Sequence, residues 1–268
     1  MDTLTQQLGD WSQWGLVIEP SAGRGDFYHR IPVHETKKIG IDISPDHPDI
    51  KQCDFLTYLP PEHSQPILVV GNPPFGRVCS LARRFFKHAS LWAHTIAFIV
   101  PRTFRRHSLQ RSIDPRFHLI YDMDIPTKPC AFDPPIASKC CFQIWQKKDI
   151  PRAITTRETT HRDWTFLKWG DINKTTRQPT IPEDLNETTD FAIRAYGGKC
   201  GEIMSSMDGM GVLRPKSWHW IRASDSTMKT ILMERFKTLD FTISKNTARQ
   251  NSIGKGDLVR LYAQFKFE

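Results

Sequence analysis

Short apolar runs that end in turn residues recur along the first half of the chain. Residues 16–19 (Leu-Val-Ile-Glu) lead into a glycine-containing turn, and residues 39–42 (Ile-Gly-Ile-Asp) repeat the pattern of an apolar run closed by an acid. Residues 67–70 run into Gly71-Asn72-Pro73-Pro74, and residues 95–100 run into Pro101-Arg102. Runs of this length without alternation predict parallel strands buried on both faces. Over residues 80–92, Leu81, Phe85, Ala89 and Trp92 fall near helical spacing. Strands alternating with helix predict an α/β sheet flanked by helices and joined by right-handed crossovers. Residues 117–121 and 139–145, the second after a proline-rich loop from 126 to 135, predict two more strands that complete the sheet.

Beyond residue 148 the chain turns polar and threonine-rich, which divides it into domains 1–148 and 149–268. The second is expected to be a small α+β subdomain. Residues 191–194 and the alternating 218–222 predict strands, and residues 197–201 a glycine-rich loop. Ser224 or Asp225 caps a helix carrying Met228, Ile231, Leu232 and Arg235 at helical spacing.

With 39% hydrophobic residues, 268 residues suffice for one substantial core and a smaller appendage. The apolar stretches are strand-sized and the N-terminus carries no leader pattern, so a soluble, intracellular protein of cytoplasm or nucleus is expected, with no membrane partner. Six cysteines show no C-x-x-C pair and no histidine partners at finger-like spacing. They read as buried reduced thiols, and no metal is expected. Of the formal charge of +8, residues 191–268 supply +6, from 13 Lys and Arg against 7 Asp and Glu. That bias fits a polyanionic partner, equally well a merely basic surface. Lys199, Arg214, Lys216, Arg222, Lys245, Arg249, Lys255 and Arg260, interleaved with Trp218, His219 and Trp220, are candidates to grip a phosphate backbone, with Lys199, Lys245 and Arg249 foremost.

The chemistry gathers at strand ends. Glu19-Pro20-Ser21-Ala22-Gly23-Arg24-Gly25 follows the first strand, and two glycines one residue apart let the backbone turn sharply against a ligand. Tyr28 stands where a dinucleotide fingerprint needs its third glycine. Asp42 closes the second strand where a carboxylate accepts hydrogen bonds from ribose hydroxyls, and Asp54-Phe55 supplies an acceptor for an adenine amino group and a ring cover.

Asn72-Pro73-Pro74-Phe75 resembles the N/D-P-P-F/Y/W motif of class I S-adenosylmethionine (SAM)-dependent amino-methyltransferases. With the glycine turn upstream it is similar to the group that methylates adenine N6 in DNA or RNA. The resemblance spans residues 16–145. It implies a Rossmann-like class I methyltransferase sheet with SAM at Glu19, Pro20, Ser21, Ala22, Gly23, Gly25, Asp42, Asp54 and Phe55. It also implies that Asn72 and the Pro73 carbonyl accept the hydrogens of an exocyclic amine, in a loop held rigid by Pro74, while Phe75 stacks on the base. A duplex target would have to be flipped out. Phe132, in the proline-rich loop, is a candidate second aromatic against the base. Few residues precede the first strand, so Trp11 or Trp14 is expected to wall the methionine end of SAM. The expected function is adenine-N6 methylation of nucleic acid, with DNA favoured over RNA. The alternatives are another amine (cytosine N4 or a protein glutamine), or an inactive SAM-fold subunit that binds nucleic acid, and a partner subunit stays open.

Overall fold

The computed structural model describes residues 2–168, 175–176, 185–205 and 215–264. They belong to two compact units, Met1–Ile154 and Thr155–Glu268. The first holds β1 (Leu16–Glu19), β2 (Lys38–Asp42), β3 (Ile50–Gln52), β4 (Ile67–Gly71), β5 (Thr95–Pro101), β6 (Phe117–Asp124) and β7 (Cys140–Lys147), in one sheet of order β3-β2-β1-β4-β5-β7-β6. The first five strands pair in parallel, and β7 pairs antiparallel with both β5 and β6. This is the α/β sheet with flanking helices that the apolar runs predict, in the Rossmann-like form that the resemblance implies.

Every residue of β1 and β4 is buried, as a central parallel strand requires. Alternate residues serve two cores. Leu16, Ile18, Val69, Ile96 and Phe98 meet Phe85, Phe86 and Ala89 of α2 (Ser80–Ala89). Val17, Leu68, Val70 and Ala97 meet Leu4 of α1 (Asp2–Leu8), with Trp11 and Trp14. In α2 the buried Ala82, Phe85, Phe86 and Ala89 recur at helical spacing, which places Arg83, Arg84 and Lys87 on the exposed side. A short helix, α3 (His107–Gln110), follows β5. The polar chain continues into this unit past residue 148, because the Arg152 guanidinium donates to the carbonyls of Gln110, Ile113 and Phe117. The three-residue β3 carries one buried side chain, Ile50, too little pattern to be read from sequence.

The second unit is α+β, as expected. β8 (Trp164–Phe166), β9 (Phe191–Arg194), β10 (Ile203–Met204) and β11 (Trp218–Ala223) form an antiparallel sheet of order β10-β9-β11-β8. α4 (Leu185–Thr188), α5 (Ser226–Thr238) and α6 (Lys255–Gln264) accompany it. Leu232 and Phe236 of α5 and Leu258, Val259 and Tyr262 of α6 pack with Phe191, Ile193 and Ile221 of the sheet. Asp225 caps α5, its carboxylate accepting the Met228 N–H at 2.8 Å.

Among the described residues, no helix is long and apolar enough to cross a membrane. None of the six cysteines is joined in a disulfide, and only Cys79, Cys140 and Cys141 are buried. Cys53, Cys130 and Cys200 are half-buried, which corrects the expectation of uniformly buried thiols.

Phe86 is 2% exposed and meets the rings of Phe98, Phe117 and Trp145 edge to face. Truncation there leaves a cavity that three strands and a helix cannot close. Phe86→Ala is expected to lower unfolding free energy by about 3–5 kcal/mol. A loss below about 1 kcal/mol in urea titration would show that this side of the sheet repacks.

Candidate functional site

In the parallel part of the sheet the chain runs from β1 through β2 to β3 on one side, then crosses to β4 and β5 on the other. The carboxyl ends of β1 and β4 therefore diverge in their connections, and a crevice opens between them. A cavity of ≈510 Å³ lies there. Its lining comes from beyond β1 (Pro20, Ser21), β2 (Asp42, Ile43), β3 (Asp54, Phe55, Leu56) and β4 (Asn72, Pro74), with Leu81, Arg84 and Phe85 of α2. Its volume falls in the range of small-molecule and cofactor sites.

Hydrogen bonds stitch these strand ends together. Gly23 and Gly25 both have positive φ, +51° and +84°, as a sharp turn over a ligand demands. The Gly23 N–H donates to an Asp42 carboxylate oxygen at 2.8 Å, and the Ala22 N–H to the Ile41 carbonyl at 2.9 Å. The other Asp42 oxygen accepts the Ser44 N–H at 2.9 Å, so the acid fixes both the glycine turn and its own loop while lining the cavity. Each oxygen keeps a further acceptor site. Asp54 accepts the Leu56 N–H at 2.9 Å and caps the 3-10 turn Phe55–Thr57. Phe55 is 2% exposed and packs on Phe85, His88 and Trp92, a core ring with a part turned to the cavity. The Ser21 hydroxyl donates to the Asn72 carbonyl at 3.0 Å and ties the glycine turn to the loop after β4.

Two side chains stand out by what they lack. Asn72 Oδ1 and Glu19 Oε2 are buried without a hydrogen-bond partner in the protein. Such acceptors cost free energy unless something else supplies a donor. Glu19 is 2% exposed, and its carboxylate accepts from the Tyr28 backbone N–H. A Cβ on Gly71 would come within 3.2 Å of Glu19 Cγ, so glycine there makes room for the acid beside the loop. Burial, with Asp26 and Asp42 adding negative charge nearby, pushes the Glu19 carboxyl up to about 8. The chain leaves the Asn72-Pro73-Pro74-Phe75 loop through left-handed residues, Gly76 (φ +65°), Val78 (+52°) and Cys79 (+61°). A β-branched residue in that region is strained, and such strain concentrates at functional sites.

Of the expected site residues, the structure brings Pro20, Ser21, Asp42, Asp54, Phe55, Asn72 and Pro74 together around one cavity. Glu19, Ala22, Gly23 and Gly25 belong to the glycine turn but not to the lining, and Pro73 and Phe75 belong to the loop but not to the lining. Phe132 is half-buried and also outside it. Trp11 and Trp14 are core residues with Val17 and Leu68 and do not wall the cavity, a correction to the expected role. Arg84 went unforeseen; its position between Leu81 and Phe85, three residues after one and one before the other, was the available signal.

In the second unit, Lys199 pairs with Glu202 at 3.4 Å, while Lys245 and Arg249 are exposed. Lys216, Arg222 and Arg260 are exposed too, and the Lys255 ammonium lies over the Phe166 ring. Arg214 lies outside the described residues. Trp218 and Trp220, 8% and 1% exposed, are buried with Leu185 and Ala192, and His219 contacts the Ile253 carbonyl. The tryptophans interleaved with the basic residues are thus core, because a strand covered on that face turns alternate side chains inward.

No family profile and no curated protein matches the chain. Among solved structures, the crystal structure of the 23S rRNA methyltransferase ErmE matches at 18% identity and a TM-score of 0.38. The match covers 54% of this chain and 65% of that one. A likeness that slight carries no argument about function.

The raised Glu19 carboxyl makes stability depend on pH in a defined direction. Between about pH 4.5 and 8 the unfolded chain releases this proton while the folded chain keeps it. Glu19 therefore lowers stability progressively across that window and levels off above it. Glu19→Gln removes the effect, so the variant should gain on the wild type in urea unfolding as pH rises from about 5 to about 8.5. A difference that stays constant with pH would show that Glu19 ionises normally.

Proposed function

We propose that the chain is a SAM-dependent methyltransferase that acts on the exocyclic N6 amine of adenine in nucleic acid. The observation that carries this reading is the buried, unpartnered Asn72 Oδ1 at the mouth of a cavity built from four parallel strand ends. The donors and acceptors around that cavity suit the cofactor. Asp42 and Asp54 offer carboxylates to hydroxyl and amino groups, and Phe55 offers an apolar surface to a purine.

When bound, SAM supplies an electrophilic methyl group. The target amine is a poor nucleophile because its lone pair is delocalised into the ring. Asn72 Oδ1 and the Pro73 carbonyl accept its two hydrogens and concentrate electron density on nitrogen, an electrostatic contribution that strengthens as positive charge develops there. The two prolines limit backbone motion, and the Ser21 hydroxyl on the Asn72 carbonyl holds the loop against the glycine turn. Phe75, half-buried at the end of the loop, takes the stacking role, with Phe132 as second aromatic. The exposed Lys245 and Arg249, with Lys199, contact the phosphate backbone. DNA is the favoured polymer. Glu19, Gly23, Asp42 and Asn72 are all present, and this weighs against an inactive binding subunit.

Two variants separate cofactor binding from chemistry. Asn72→Ala should lose methyl transfer to DNA and RNA, read by mass spectrometry of nucleosides, and keep affinity for S-adenosylhomocysteine. Asp42→Ala should lose about ten- to hundredfold in that affinity by calorimetry, the effect of removing hydrogen bonds to a charged acceptor. Full activity in Asn72→Ala, or unchanged affinity in a folded Asp42→Ala protein, would sink the assigned roles.

The phosphate contacts have their own signature. Each lost contact should flatten the log–log dependence of affinity on salt by roughly 0.7–0.9. Lys245→Ala with Arg249→Ala should reduce that slope on any sequence and leave S-adenosylhomocysteine binding unchanged. Identical slopes would remove both residues from the interface.

A further inference from the structure

Two histidines and an aspartate from separate segments converge beside the glycine turn. His29 follows Gly25 in the connection from β1 to β2, and His47 and Asp49 lie between β2 and β3. One ligating atom from each lies within 4.8 Å of the others. The rings of His29 and His47 meet edge to face with centroids 4.5 Å apart, and His47 Nδ1 lies 3.7 Å from an Asp49 carboxylate oxygen. Two ligand atoms on a tetrahedral ion with bonds of about 2.1 Å are roughly 3.4 Å apart. His29 and Asp49 are exposed, so a rotamer adjustment of about an ångström closes the set.

The backbone prepares this arrangement. The His29 N–H donates to the Gly25 carbonyl at 3.0 Å, and its ring lies so close over Gly25 that a Cβ there would fall 2.7 Å from Nε2. The Asp46 N–H donates to the Gly23 carbonyl at 3.0 Å and joins the β2–β3 loop to the turn. The Asp49 N–H makes a long 3.3 Å contact with His47 Nδ1, which ligation through that nitrogen would replace. Glu35, whose carboxyl is held low by Lys38, by Tyr28 and in smaller part by His29, adds negative charge beside the cluster.

We propose that His29, His47 and Asp49 form a binding site for a divalent cation of the zinc type, which rivets the glycine turn to the β2–β3 loop. Two imidazoles and one carboxylate suit zinc, with water in the fourth position. The cysteine and histidine spacing gives no hint of it, because the ligands come from two loops that only the sheet brings together. Both loops carry cavity groups, Pro20 and Ser21 in one and Asp42 and Ile43 at the start of the other. A bound cation therefore holds the cavity in shape as well as stabilising the fold. The site does not depend on which ligand the cavity takes.

The test is cobalt and zinc titration of the full chain. Cobalt should bind the wild type in one equivalent, with a visible spectrum of nitrogen and oxygen ligation and no thiolate charge-transfer band. Zinc should raise its thermal unfolding midpoint. His29→Ala and His47→Ala should each weaken cobalt binding by at least about tenfold and abolish the zinc-induced shift. Asp49→Asn, at an exposed position that leaves folding intact, should weaken binding in the same direction. A thiolate band, equal affinity in the variants, or no cobalt binding by the wild type would overturn the proposal.

Discussion

The structure depends on one strand, β1, which pairs in parallel with β2 on one side and β4 on the other. Its four residues are buried, and the three apolar ones divide between the two cores of the first unit, Leu16 and Ile18 facing α2 and Val17 facing α1. Because connections leave this strand and β4 in opposite directions, the carboxyl edge has a gap where no crossover covers it. Backbone ends that would otherwise need partners are met there by side chains: Asp42 takes the Gly23 amide and Ser21 takes the Asn72 carbonyl.

That arrangement gathers polar groups at the strand ends, two of them with buried oxygens. Glu19 is lodged at the end of β1 because Gly71 leaves space for it, and burial then holds its proton well above the usual carboxylate range. Asn72 follows Gly71 directly, and its side-chain oxygen ends up buried without a partner. The fold thus carries the desolvation cost of two buried acceptors without protein partners. Neither acceptor strengthens the fold as it stands.

The same crossover geometry explains the pairing of histidines with an aspartate outside the cavity. The turn after β1 and the loop after β2 are adjacent because their strands are, so residues distant in sequence share a small volume. The two units also differ in how they use aromatic residues. Phe86 and Phe55 tie α2 to the sheet in the first, and Trp164, Phe236 and Tyr262 form a ring cluster in the second.

Much of the first unit was legible in the chain. Unbroken apolar runs at β1, β4 and β5 can only be strands buried on both faces, and the glycines, Asp42 and the Asn-Pro-Pro-Phe loop each follow such a run. The cysteine burial, the placement of Trp11 and Trp14, and the inward turn of Trp218 and Trp220 were not legible, because which face of a strand or turn meets the core is set by its neighbours. β3 and β10 are too short to carry a pattern, and their strand character comes from the edges they pair with. By itself the sequence determined the order of strands and turns and the residue types at their ends. Only the tertiary structure decided that Asp42 would hold the glycine turn, that Arg84 would join the cavity and that Asn72 Oδ1 would be left unpaired. Those outcomes depend on distances between segments far apart in the chain, which local residue preferences do not encode.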